Sequence, residues 1–187
     1  MNKKMKIGLS LLVGIFIVAG SLATWSYFSN QSVALENSNR TSGINGYQGK
    51  DWALSNLEGE VIRLSDYKSQ PVLLVFWATW CPYCKKLLPG IQRLHEKYQD
   101  KGLKIIAVNI KEDWKPHVYW RNHEYTFDTV LEGDDVAKIY GISGTPGLVF
   151  IDPDGKVLST QSFSDPENPV LEKFAEAYTN SEAMKNN

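Results

Sequence analysis

The chain has 187 residues, of which 43% are hydrophobic and 22% charged, a composition typical of a folded globular protein and not of a disordered one. Lys and Arg total 20 and Asp and Glu total 21, which leaves a net charge of −1. This balance gives no electrostatic reason to expect a nucleic-acid partner. The two cysteines are too few for a disulfide scaffold or a four-thiolate zinc site.

An apolar segment lies near the N-terminus. Three lysines precede an uncharged run from Ile7 to Phe28. A helix that spans a bilayer needs roughly 20 apolar residues, and the basic flank stays in the cytoplasm. The sequence therefore predicts a transmembrane anchor within residues 1–28, with residues 7–28 in the membrane and the rest of the chain outside the cytoplasm. A cleaved signal peptide is the alternative, although its apolar core usually has about 7–15 residues.

The rest of the chain divides into a linker, a domain and a tail. Residues 29–48 are rich in Ser, Asn, Gln and Gly, a composition typical of a flexible tether. We predict a folded domain over residues 49–180, followed by a polar tail over residues 181–187. These boundaries rest on the change in composition along the chain.

The predicted elements of the domain alternate between strands and helices. Val72–Trp77 is a continuous apolar run, as expected for a central strand buried on both faces. Apolar residues then recur at helical spacing as far as Tyr98, and Pro89 is expected to interrupt and kink that helix. The other predicted elements are a hairpin (Trp52–Leu57 and Val61–Leu64), a buried strand (Leu103–Ile110), a helix (Lys115–His123), an edge strand (Asp128–Leu131), a helix (Asp134–Tyr140), a hairpin (Leu148–Ile151 and Lys156–Thr160) and a terminal helix (Pro169–Tyr178). This order indicates an α/β sandwich.

The two cysteines form a CxxC pair between the buried strand and the helix that follows it. Residues i and i+3 of a helix lie about 5–6 Å apart, which is the spacing that a disulfide needs. Cys81 is predicted at the exposed helix N-terminus, where free N–H groups and the helix dipole favour a thiolate, and Lys85 and Lys86 add positive charge. We therefore predict that Cys81 is the nucleophile and that the better shielded Cys84 resolves the mixed disulfide.

Two other roles for the cysteine pair fit the sequence less well. An inert disulfide would close too short a loop to stabilise the fold much. Half of a metal site would need further ligands, and the three histidines have no ligand spacing. A CxxC at a strand-to-helix junction indicates redox exchange, so we predict no metal and no cofactor.

The sequence around the pair resembles the active-site segment of the thioredoxin superfamily. The segments that carry this resemblance are Phe76–Lys86 with Pro89 and, for its membrane-anchored TlpA/ResA branch, Leu57–Tyr67, Ala107–Glu112 and Tyr140–Pro146. The likeness extends over residues 49–178. It implies a thioredoxin-like, three-layer α/β sandwich.

The resemblance also implies roles for residues around the cysteines. Thr145 and Pro146 match the loop that has a cis-proline and faces the cysteine pair in this superfamily. Trp80, Thr145 and Pro146 are therefore expected to bind the substrate.

A second group of residues is expected to tune the redox potential. Pro82 and Tyr83 lie between the cysteines, and Tyr83 could equally contact the substrate. Glu112 matches an acidic residue that lies near the pair in this branch, although an ordinary solvated carboxylate is an equal alternative.

The chain departs from the superfamily pattern at three places. Val75 stands where thioredoxin has a buried Asp, so that proton acceptor is absent. Gly147 stands where Thr is usual. The Pro-Tyr dipeptide between the cysteines is the one seen in glutaredoxins, and it leaves the redox poise open.

The resemblance implies an extracytoplasmic, membrane-bound thiol-disulfide oxidoreductase. Its expected partners are oxidised exported proteins, notably the apocytochromes c of cytochrome c biogenesis, and a transmembrane thiol electron donor. A disulfide-forming oxidase of the same fold and a non-enzymatic copper or haem-protein chaperone are the alternatives. A peroxidase is disfavoured because Leu74 stands where a PxxxTxxC motif has Pro.

Overall fold

The computed structural model describes residues 46–111 and 115–179. The strands are β1 (Tyr47–Gln48), β2 (Ala53–Ser55), β3 (Val61–Arg63), β4 (Val72–Trp77), β5 (Lys104–Asn109), β6 (Asp128–Val130), β7 (Gly147–Ile151) and β8 (Lys156–Gln161). The α-helices are α1 (Pro82–Tyr98), α2 (Pro116–Asn122), α3 (Asp134–Ile139) and α4 (Pro169–Thr179), and short 3-10 turns cover Leu64–Tyr67 and Gln99–Lys101. Each element predicted within the domain is found, with ends that shift by a few residues.

Within the described residues, six strands form one mixed sheet in the order β1-β8-β7-β4-β5-β6, and β2 and β3 form a separate hairpin. Strand β4 is parallel to β5 and antiparallel to β7. A parallel pair needs a crossover connection, and α1 provides the one between β4 and β5. This order puts β4 in the interior of the sheet and the predicted edge strand, β6, at its edge.

Strand β4 is buried on both faces, as its unbroken apolar sequence predicts. Leu73 and Trp77 belong to the core that α1, α2 and α4 cover. Leu74 and Phe76 belong to the core on the other face, with α3 and the β2–β3 hairpin. The sheet thus lies between two helical layers, which confirms the thioredoxin-like, three-layer α/β sandwich.

The domain begins earlier than its predicted start at residue 49. Tyr47 and Gln48, assigned to the linker, form β1 and pair with Val157 and Lys156 of β8. The Gly46 N–H donates to the Val157 carbonyl at 2.8 Å. The predicted linker boundary is wrong because a two-residue strand has no periodicity of its own and is held in place by its partner.

Helix α1 continues through Pro89, which the sequence analysis expected to interrupt it. The next residue, Gly90, is buried where α1 meets the segment that leads into α4. A Cβ atom added at Gly90 would lie 2.5 Å from both the Cβ and the carbonyl oxygen of Pro166. Gly90 therefore allows an approach of α1 to this segment that a larger residue would prevent.

Gly90→Ala is expected to lower the free energy of unfolding. Alanine favours a helix over glycine by about 1 kcal/mol, but overpacking a tight contact costs about 1–3 kcal/mol and sometimes more. Gly144→Ala is the control, since no atom lies within 4 Å of the added Cβ atom there. Thermal unfolding of the detergent-solubilised chains measures the stability of both variants. A Gly90→Ala variant as stable as Gly144→Ala would contradict the prediction.

No helix in the described part of the chain is long and apolar enough to cross a membrane. The predicted anchor within residues 1–28 and the predicted tail over residues 181–187 lie outside the described residues.

Candidate active site

The cysteine pair lies where β4 ends and α1 begins. Cys81 is the N-cap residue of α1, and Pro82 occupies the first turn, a position where its missing N–H costs nothing. The Cys84 N–H donates to the Cys81 sulfur at 3.1 Å. The Cys81 side chain thus fills the capping role that Ser or Asp usually has, and a negative charge on this sulfur would be stabilised by the helix N-terminus.

Both cysteines are buried, with 2% of Cys81 and 1% of Cys84 exposed. The expectation that Cys81 would be the exposed member of the pair is therefore wrong. Its sulfur turns back to cap the helix and packs in the same core as Trp77 and Leu87. The exposed fraction therefore does not distinguish the two thiols.

The Cys81 thiol also contacts the loop that precedes β7. It donates to the carbonyl oxygen of Thr145 at 3.4 Å, and the Thr145–Pro146 peptide bond is cis, as the resemblance implies. On the other side of this loop, the Ser162 hydroxyl donates to the Pro146 carbonyl at 2.8 Å. The Cys81 sulfur therefore contacts both the helix N-terminus and a backbone carbonyl.

Burial, together with a hydrogen bond with Cys81 and repulsion from the Cys81 charge, raises the pKa of the Cys84 thiol to about 12. Hydrogen bonds with Ala78 and Thr145 lower this pKa and partly offset the increase. Val75, at the position of thioredoxin's buried Asp, is completely buried in the same apolar core as the cysteines. Cys84 is therefore protonated at neutral pH.

Two large aromatic side chains are exposed next to the buried cysteines. Trp80 is 49% exposed and Tyr83 is 63% exposed. The Trp80 indole donates to the Lys111 carbonyl at 2.8 Å, which fixes the plane of the ring. Exposed aromatic rings whose orientation is fixed are typical anchors for a protein partner. They mark the accessible surface around Cys81.

The structure brings together most, but not all, of the residues predicted for the site. Thr145 is partly exposed and Pro82 is exposed, whereas Pro146 is buried. Pro146 therefore presents no open ring surface in this structure. Glu112 lies outside the described residues. Among the residues that are described, no cluster of three or more His, Cys, Asp or Glu side chains could hold a metal ion.

Tyr119 is a neighbour of the site that the sequence analysis missed. It is buried on α2, with its ring centroid 5.3 Å from that of Trp77. Burial, followed by repulsion from Tyr125 and Cys84, raises the pKa of its hydroxyl, so Tyr119 remains neutral. Tyr119 and Trp120 are adjacent aromatic residues in a short helix. This pattern could have predicted that their side chains are buried against the sheet.

Comparison with known proteins decides the family. Residues 46–160 match the model of the AhpC/TSA family. The chain belongs to the AhpC/TSA family. This AhpC/TSA member is 35% identical over 115 residues to thiol-disulfide oxidoreductase ResA of Bacillus thuringiensis subsp. konkukian, a match to 60% of this chain and 66% of that protein.

For two further relatives, the match to this chain covers a larger share of the relative's own length. ResA of Halalkalibacterium halodurans is 29% identical over 177 residues, which are 94% of this chain and 95% of that protein. The crystal structure of a thiol:disulfide interchange protein, DsbE, from Chlorobium tepidum matches 74% of this AhpC/TSA chain and 100% of its own, with 30% identity and a TM-score of 0.65. The resemblance to the ResA branch of the thioredoxin superfamily is confirmed.

Proposed function

We propose that the chain is an extracytoplasmic thiol-disulfide oxidoreductase that reduces disulfides in exported proteins through Cys81 and Cys84. The observation that carries this proposal is the placement of the Cys81 sulfur, which caps α1 and contacts the Thr145 carbonyl. The similarity to proteins named thiol-disulfide oxidoreductase ResA supports the same reaction class.

The reaction proceeds in two exchange steps. The Cys81 thiolate attacks one sulfur of a substrate disulfide, and the other substrate sulfur leaves as a thiolate. Cys84 then loses its proton and attacks the Cys81 sulfur, which closes the Cys81–Cys84 disulfide and releases the second substrate thiolate. Two electrons pass from the pair to the substrate, and a transmembrane thiol donor returns them.

The mixed disulfide itself helps Cys84 to react. Two of the causes that raise the pKa of Cys84 come from Cys81, namely its hydrogen bond and its charge. A Cys81 sulfur bound to the substrate carries no charge and no thiol proton. The pKa of Cys84 therefore falls at the step in which its thiolate is needed.

The stability of the Cys81 thiolate bears on the direction of exchange, because a stabilised thiolate favours the dithiol form and makes a pair more oxidising. The helix N-terminus acts in this sense, whereas the Lys85 and Lys86 side chains are exposed to solvent, where water screens their charge. We favour a reductase over a disulfide-forming oxidase because the ResA branch that the chain resembles mostly supplies electrons to oxidised proteins.

The substrates that we propose are oxidised exported proteins such as apocytochromes c. Trp80, Thr145 and Pro146 contact the substrate chain, and Pro82, Tyr83 and Glu112 tune the potential. The exposure of Trp80 and Tyr83 beside a buried thiol supports a polypeptide substrate, since a small disulfide would not need them.

Insulin reduction tests the proposed reaction. With a dithiol donor, the chain should reduce and precipitate insulin, and the Cys81→Ser variant should not. A chain that binds copper or haem protein but leaves insulin oxidised would support the chaperone alternative and overturn the reductase proposal.

The proposed location is the outer face of the cell membrane, with an anchor within residues 1–28. The match to the Halalkalibacterium protein covers 94% of this chain and therefore reaches into residues 1–45. After extraction with alkaline carbonate, the full chain should stay in the membrane pellet. A shorter, soluble form would favour a cleaved signal peptide.

A further inference from the structure

We propose that Lys111 is a positioning residue that sets the gap between the two walls of the substrate cleft, Trp80 and the Thr145 loop. This inference rests on the proposed reduction of protein disulfides and names the residue that shapes the cleft for them. Lys111 lies two residues after the end of β5 and more than 25 residues from each wall in sequence.

Lys111 makes contacts with three different parts of the fold. Its carbonyl accepts the indole N–H of Trp80 at 2.8 Å, and its ammonium group donates to the carbonyl of Ser143 at 2.7 Å. Its backbone N–H faces the Asp134 carboxylate, with both oxygens at 3.3 Å. One residue therefore connects the segment before Cys81, the loop before Pro146 and the start of α3.

These contacts connect Lys111 to both neighbours of the Cys81 thiol. Trp80 precedes Cys81 in the chain, and the Cys81 thiol donates to the Thr145 carbonyl at 3.4 Å. Thr145 is two residues after Ser143, which the Lys111 ammonium holds. The backbone and side chain of Lys111 thus link Trp80 to the loop that precedes Pro146.

The backbone of Lys111 is itself unusual. Its φ angle is +50°, in the left-handed region that residues other than glycine seldom adopt. Glycine would take this conformation more readily, but glycine has no ammonium group to reach Ser143. A strained backbone beside an active site is held by the surrounding contacts, which here are those with Trp80 and Asp134.

Loss of the hydrogen bond between the Lys111 ammonium group and Ser143 should affect the reduction of a protein substrate and of a small disulfide differently. A polypeptide must fit between Trp80 and the Thr145 loop, whereas a small disulfide needs only access to the Cys81 sulfur. Lys111→Met removes the ammonium group and keeps the backbone carbonyl that holds Trp80. It should therefore weaken protein binding without changing the reactivity of the thiol.

The test measures kcat and KM of the full chain in detergent with insulin and with hydroxyethyl disulfide. Lys111→Met should raise KM for insulin by roughly 3- to 10-fold, the size expected for one exposed hydrogen bond from a charged donor, with kcat unchanged. Its rate with hydroxyethyl disulfide should equal that of the wild type. Lys111→Arg, which keeps a long cationic donor, should restore most of the affinity.

Lys138→Met is the matched control. Lys138 is an exposed lysine of α3 that pairs with Asp135 on the same helix, so this variant removes the same charge without touching the cleft. It should behave as the wild type with both substrates. Lys111→Gln provides a second variant, with a shorter neutral donor, if Lys111→Met does not fold.

Three results would overturn the proposal. An unchanged KM for insulin in Lys111→Met and Lys111→Gln would mean that the contact with Ser143 does not shape the cleft. Equal losses with insulin and hydroxyethyl disulfide would mean that Lys111 acts on the thiol, and an equal effect of Lys138→Met would indicate a general charge effect. A wild-type chain that reduces the small disulfide but not insulin would instead overturn the proposed function.

Discussion

Cells that produce the Cys84→Ser variant should accumulate mixed disulfides between Cys81 and exported proteins, while cells that produce Cys81→Ser should contain none. The helix N-terminus and the backbone N–H of residue 84 lie beside the Cys81 sulfur. Cys81 can therefore attack a substrate disulfide without the thiol of Cys84. A serine at position 84 cannot resolve the intermediate, and insulin turnover should fall by at least about 100-fold in either variant.

Non-reducing electrophoresis of alkylated cell extracts, followed by mass spectrometry, identifies the trapped partners. The double variant, Cys81→Ser with Cys84→Ser, controls for adducts that do not involve the pair. Adducts on Cys84 in the Cys81→Ser variant, at the level seen in Cys84→Ser, would show that the roles of the two thiols are reversed.

Alkylation of the reduced, folded protein at pH 7 should modify Cys81 well before Cys84. With a pKa of about 12, roughly one Cys84 in 100,000 is a thiolate at pH 7, and only the thiolate reacts. The rate at Cys84 should rise about tenfold per pH unit until the fold is lost. Because the two residues have almost the same exposed fraction, this selectivity tests the raised pKa of Cys84 and not a difference in exposure.

Mass spectrometry of the peptides that contain each cysteine measures the two rates separately. In the unfolded protein the same reagent should label both at similar rates, since both thiols then have an ordinary pKa near 8.5. Equal rates in the folded protein would contradict the assignment of Cys81 as the nucleophile. In Cys81→Ser the rate at Cys84 should increase, because two causes of its raised pKa are removed.

The sequence predicts those parts of the site that depend on neighbouring residues. The unbroken apolar run of β4, the proline after Cys81 and the helical spacing beyond it place the pair at a strand-to-helix junction. The position of Thr145 opposite the cysteines came from the resemblance, because a contact across 64 residues leaves no local pattern.

The features that could not be predicted depend on tertiary contacts. Cys81 is buried because its sulfur turns back onto its own helix and towards the Thr145 loop. Lys111 had the sequence context of an ordinary surface residue, and its role depends on Trp80 and Ser143, which are distant in sequence. Gln48 belongs to a strand only because β8 presents an edge with which it can pair.

The reduction potential of the Cys81–Cys84 pair tests the reductase proposal most directly. It is measured by equilibrating the full chain against glutathione or dithiothreitol buffers and by alkylating the thiols that remain. We expect a value near that of thioredoxin, about −270 mV, because the ResA branch that the chain resembles mostly supplies electrons to oxidised proteins. A value above about −180 mV, that of protein disulfide isomerase, would mean that the protein forms disulfides and would contradict the proposed direction.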